Sequence, residues 1–103
     1  MKCTMLKMTL ENNEEVELTL NFARLLKVKN HNKKIYEDFM TALKNTDFDI
    51  VFDSLKVLYI AYLCANSDKL DGTMSESEFI DLVPMDFAII NGLVAELIQP
   101  KKK

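Results

Sequence analysis

The sequence predicts a mainly α fold in which an N-terminal β-hairpin packs on a bundle of four to five helices, α+β by strict count. Over residues 4–20 apolar and polar residues alternate, which is the period of a strand. From residue 21 the apolar spacing changes to i, i+3, i+4, the period of a helix. Only two glycines and two prolines are present, which favours long regular elements over a loop-rich barrel.

In the first strand Leu6, Met8 and Leu10 point one way and Met5, Lys7 and Thr9 the other. In the second, Val16, Leu18 and Leu20 oppose Glu15, Glu17 and Thr19. The intervening "ENNE" is turn chemistry, because asparagine tolerates the left-handed backbone a tight hairpin needs. A lone hairpin is marginal in water, so its apolar face must lie on something.

Asn21 can cap a first helix with Phe22, Leu25 and Leu26 on its apolar side, and "KNHN" (residues 29–32) breaks that pattern. Ile35, Tyr36, Phe39, Met40 and Leu43 mark one face of a second helix ending near Asn45. Thr46 or Asp47 can cap a third, running through Ala65. "NSDKLDGT" reads as a loop. Ser75 and Glu78 form a capping box for a short fourth helix carrying Phe79, Leu82 and Val83. Pro84 suits the first turn of a fifth helix, with Phe87, Ile90, Leu93, Val94 and Leu97 on one stripe and Pro100 as its stop. Gly92 falls inside that helix, marking either close packing or a break. The expected organisation is one domain over residues 1–98 and a basic tail over 99–103.

Size and charge narrow the function classes. A chain of 103 residues has the commonest size of one domain and supports one modest core. A hydrophobic fraction of 49% with 28% charged residues is globular rather than disordered composition. With net charge -3 and pI about 5.1, nucleic-acid binding is not the default. Cys3 and Cys64 match no metal or redox spacing and read as reduced, buried thiols. No leader-type apolar segment opens the chain, and the apolar run at residues 57–65 is about half a membrane span. The expectation is a cytosolic protein that does not engage a membrane.

No constellation of catalytic type emerges. Gly72 and Glu78 stand where a calcium loop has its glycine and last ligand, but Lys69 then occupies a carboxylate position, and the capping box already accounts for Glu78. His31 is the only histidine and reads as part of a polar loop, with no partner set for zinc or a triad. Glu37 and Asp38 are helix neighbours that point apart, so they are no acid–base couple. There is no phosphate loop and no nucleophile elbow. The protein is expected to be neither an enzyme nor a cofactor carrier. The run "RLLKVKNHNKK" holds five basic residues and no acid. Without interleaved aromatics it reads as a solvated face, or one that meets another subunit's acidic segment, rather than a nucleic-acid site.

The third helix poses the main question, because Val57, Tyr59, Ile60, Leu63 and Cys64 make it apolar nearly all round. Either it is the central helix, walled in by its neighbours, or it keeps a stripe including Tyr59, Tyr62 or Leu63 for another chain. On the second reading the partner-binding candidates are Val57, Tyr59, Tyr62, Leu63, Ile90, Leu93, Val94 and Leu97.

The order "MTLENNEEVELTLNFARLLKV", "KIYEDFMTALKN", "SLKVLYIAYLCAN" and "SESEFIDLVPMDF" resembles the short tail assembly chaperones of long-tailed bacteriophages of Gram-positive hosts. The likeness spans nearly the whole chain through order and spacing rather than through a catalytic signature. It implies a non-enzymatic protein of the host cytoplasm that coats the hydrophobic helical tape measure protein. Such a protein also helps recruit tail tube protein and is absent from the mature virion. A longer form made by ribosomal frameshifting, for which "QPKKK" could supply the slippery codons, and a homo-oligomer are further partners within that resemblance. A self-assembling structural tail or connector subunit is the second class, and a small nucleic-acid-binding regulator using residues 24–34 the third.

Overall fold

The structure is a computed structural model that describes residues 6–44 and 52–98. Cys3, Met5, Asn45, Thr46, Asp47, Ile50, Val51 and Pro100 fall outside the described residues, as do the tail and the start expected for the third helix. Strands β1 (Leu6–Thr9) and β2 (Glu15–Leu18) pair antiparallel, with Met8 opposite Val16 and Leu6 opposite Leu18. Five α-helices follow: α1 (Phe22–His31), α2 (Lys33–Lys44), α3 (Phe52–Ala65), α4 (Glu76–Leu82) and α5 (Phe87–Ile98). A 3-10 turn, Leu70–Gly72, sits between α3 and α4. The fold is therefore mainly helical, with an N-terminal hairpin packed on a helix bundle.

The hairpin turn is built as its composition predicts. Asn13 has φ 70°, the left-handed conformation asparagine tolerates, and the Leu10 N–H donates to the Glu14 carbonyl at 2.8 Å. Met8, Leu10, Val16 and Leu18 are buried. The alternation then fails at Thr19, which is fully buried instead of facing solvent. β2 has ended by then, and the Thr19 N–H turns to the Ala61 carbonyl of α3 at 3.2 Å. That bond and the packing of β2 on α3 seat the hairpin.

Two helix starts follow expectation, and one is displaced. The Asn21 side chain accepts from the Arg24 N–H at 2.9 Å at the head of α1. Ser75 and Glu78 close both arms of the capping box of α4, at 3.3 and 3.1 Å. Pro84 does not open α5, however. Asp86 caps it, its carboxylate accepting from the N–H groups of Ala88 and Ile89. The helix thus starts later than Pro84 suggested. The break expected at "KNHN" is narrower too: α1 runs through His31, and only Asn32 separates it from α2.

α3 is the central helix. It packs against β2, α1, α2, α4 and α5, so its apolar residues are covered on every side. Buried side chains from both strands and all five helices form one core cluster around it. This corrects the expectation of an open stripe: Tyr59, Tyr62 and Leu63 are only 5–6% exposed and Val57 not at all. A helix ringed by five elements has little room for polar side chains, and past Lys56 every residue of α3 is apolar or aromatic.

Gly92 marks neither a break nor a close contact. α5 is continuous across it, and a Cβ there would meet nothing within 4 Å. Gly92→Ala is therefore expected to stabilise the fold by about 0.5–1 kcal/mol, read as a raised urea midpoint with unchanged slope. A loss of stability would show that the position is tighter than it stands here.

Candidate protein-binding surface

None of the eight expected contact residues is open to a partner in this conformation. Val57, Tyr59, Tyr62, Leu63, Ile90 and Val94 are buried in the core, and Leu93 and Leu97 are half-buried against it. The large apolar side chains that do face solvent among the described residues are Phe22 at 91%, Met85 at 87%, Leu26 at 56%, Ile89 at 49% and Phe87 at 47%. Phe22 and Leu26 lie one turn apart on the outer side of α1. Met85 lies in the link between α4 and α5, and Phe87 and Ile89 are the first and third residues of α5.

The α1 pair is exposed because the helix is rotated from the face first expected. Arg24 and Val28 turn inward beside the expected Leu25, and Val28 is buried. Arg24 sets this rotation. Its guanidinium donates to the Cys64 carbonyl at 3.0 Å, and reaches the Ala65 carbonyl at 3.5 Å and Ser67 Oγ at 3.4 Å. These carbonyls end α3, where a cation both satisfies orphan acceptors and complements the helix dipole. The missed signal was Val28, three residues after Leu25 and so on the same side of the helix.

The basic run of residues 24–34 is matched largely within the chain. Lys27 Nζ lies 2.9 Å from Asp68 Oδ1, and His31 Nε2 lies 2.9 Å from Asp71 Oδ1. Lys33 and Lys34 pair with Glu37 and Asp38 at 3.9 and 3.6 Å along α2. Lys29 stands over the Tyr36 ring, 5.3 Å from its centroid. Lys27 holds the Asp68 carboxyl below the usual carboxylate range. A shallow groove of about 480 Å³ lies between α1 and the loop at residues 66–72, but its charges close on one another through these same pairs.

The buried polar atoms near α3 are structural. The Tyr59 hydroxyl donates to the Met74 carbonyl at 2.8 Å, and the Met74 N–H donates to the Tyr62 hydroxyl at 3.0 Å. Burial, with Glu76 adding to it, pushes the Tyr59 phenol up to about 12. Burial likewise pushes the Cys64 thiol up to about 12, against a smaller opposing pull from Arg24. Both groups stay neutral in the folded chain while the unfolded chain ionises them from about pH 9–10. The folded state then holds more protons, so stability falls as pH rises from about 9 toward 12. A thermal-midpoint profile should show this alkaline loss, reduced in Cys64→Ala relative to its own midpoint at pH 7. A flat profile would contradict it.

Among the described residues no group of three or more His, Cys, Asp or Glu is placed to hold a metal, and no helix is long and apolar enough to cross a membrane. Comparison with protein-family models, curated proteins and solved structures returns no match for this chain.

Proposed function

We propose that this protein is a tail assembly chaperone of the kind its sequence resembles. It binds and solubilises the long apolar helical tape measure protein and helps recruit tail tube subunits during tail morphogenesis. It acts in the host cytoplasm and leaves before the virion is complete. The reading is supported by the resemblance in order and spacing, and above all by the exposure of Phe22, Leu26, Met85, Phe87 and Ile89 on a domain whose core is otherwise closed.

Those side chains together present on the order of several hundred Å² of apolar surface. A stable pairwise interface needs about 800 Å² from each partner. A single contact here is therefore weak, and many copies on one long client would act through avidity. The contact surface moves accordingly from α3 to the outer side of α1 and the α4–α5 junction.

Co-expression with a tape measure protein tests this. The parent chain should keep the client soluble and co-elute with it. Phe22→Asp combined with Phe87→Asp should lose the soluble complex while its circular dichroism stays that of the parent. A retained complex would place the contact elsewhere, and the presence of this chain in mature particles would favour the structural-subunit reading. For a nucleic-acid regulator the pairing of residues 24–34 within the chain leaves few free cations.

A further inference from the structure

The two edges of the hairpin differ. The Leu10 N–H donates to the Glu14 carbonyl, and in an antiparallel ladder bonded and non-bonded pairs alternate. With Met8 opposite Val16 and Leu6 opposite Leu18, those pairs carry the ladder bonds. The N–H and C=O groups of Lys7 and Thr9 therefore point away from β2. On β2 the same alternation turns Thr19 outward, and the Ala61 carbonyl of α3 takes its N–H. The next outward residue after Thr9 is Glu11, whose N–H donates to the Leu82 carbonyl at the end of α4 at 2.7 Å. β1 itself keeps an open edge. Among the described residues no hydrogen bond from outside the ladder reaches the Lys7 or Thr9 backbone, and both residues are exposed.

Such an edge is a template for a further strand. A second copy of β1 fits it antiparallel about a two-fold axis, and the neighbouring groups select the register. Lys7 against Lys7 would set like charges directly opposite each other. Thr9 against Thr9 would call on Glu11 opposite Lys7, and the Leu82 carbonyl already holds the Glu11 N–H. Lys7 against Thr9 meets neither obstacle, and each such pair exchanges both of its N–H···O bonds. The charges then suit each other on the solvent face. Lys7 stands beside Glu17 of its own chain, and the partner's Thr9 stands beside the partner's Glu15, so the lysine lies in a row that ends in an acid on both sides.

We propose that β1 is a self-association edge, through which two copies pair Lys7 with Thr9 and join their two-stranded sheets into one. The inference goes beyond the client reading and does not depend on it, since that reading uses side chains on the helices. The strand is short, so the pairing is weak and fills only as concentration rises.

Sedimentation velocity over a concentration series, with amide exchange followed by NMR, tests this. The parent chain should self-associate, and the Lys7 and Thr9 amides should gain protection over the same range. Thr9→Pro removes an outward N–H that β2 does not use, a change an edge strand tolerates. Its circular dichroism melt should stay near the parent's, while dimerisation weakens about tenfold or more as one bond is lost on each side of the axis. Lys7→Thr keeps the N–H and should leave the pairing intact. Lys7→Glu makes the row acidic and should weaken it, less so in about 0.5 M salt as screening shortens the field.

A chain that stays monomeric at every concentration overturns the proposal. A dimer that both Thr9→Pro and Lys7→Glu leave unchanged places the contact on another surface and overturns it too. So does a dimer whose Lys7 and Thr9 amides exchange as freely as the monomer's. Protection of those amides in a monomer only on adding tape measure protein gives the edge to the client and overturns the second copy as its occupant. The chaperone reading survives each of these outcomes, because soluble co-elution with the client decides it separately.

Discussion

A chain carrying Tyr59→Asp together with Leu63→Asp is expected to lose its cooperative unfolding transition altogether, whereas Phe22→Asp keeps one within a few degrees of the parent. Leu63 lies 5% exposed and Tyr59 6%, so each aspartate would stand in the interior. Removing a buried leucine side chain alone forfeits about 2–3 kcal/mol of transfer energy. Burying a carboxyl without a partner costs several kcal/mol more, whether it stays charged or takes up a proton to avoid it. Tyr59 also gives up the hydrogen bond that its hydroxyl donates to the Met74 carbonyl. Two such changes reach the whole stability of a small domain, about 5–15 kcal/mol. Phe22, 91% exposed, loses almost no burial by comparison, and surface changes are usually worth less than about 0.5 kcal/mol. Circular dichroism melts of the two variants separate the cases. A folded, cooperative Tyr59→Asp/Leu63→Asp chain would mean that this face of α3 opens after all, and would return the partner surface to it.

How the sequence was legible follows from the range of each interaction. The hairpin turn, the Asn21 cap and the Ser75–Glu78 box are decided within four or five residues, and each is present where its residues predict it. The burial of α3 is not local. A run such as residues 57–65 is equally compatible with a walled-in helix and with an interface, and only the arrangement of β2 and four other helices around it decides. The rotation of α1 is set by Arg24 reaching carbonyls some forty residues downstream, Cys64 and Ala65. The Lys27–Asp68 and His31–Asp71 pairs span similar separations, and they turn a run that looked free to meet other molecules into one that is largely engaged. Phe87 and Met85 are exposed because Asp86, not Pro84, starts α5, a choice that depends on which carboxylate finds the free N–H groups. The candidate surface was thus hidden from sequence reasoning by long-range geometry.

Phe79→Ala is expected to lower stability by about 3–5 kcal/mol, the cost of a large-to-small change at a site that cannot collapse. Its ring is fully buried and lies between two tyrosines of α3. The Tyr62 ring stacks on it at 5.1 Å and 22°, and the Tyr59 ring is tilted against it at 5.5 Å. Such pairs add about 0.5–1.5 kcal/mol each beyond the area they bury. α4 has only seven residues, far below the length at which a helix holds itself together in water. Its attachment to α3 therefore rests on Phe79, with Tyr59 and Tyr62 gripping the Met74 backbone just before it. Urea unfolding gives the stability change. A double-mutant cycle with Tyr62→Leu should return a coupling of about 1 kcal/mol, and a coupling near zero would show that the stack is only adjacency. Amide exchange adds a second readout, because α4 should lose protection before α3 does.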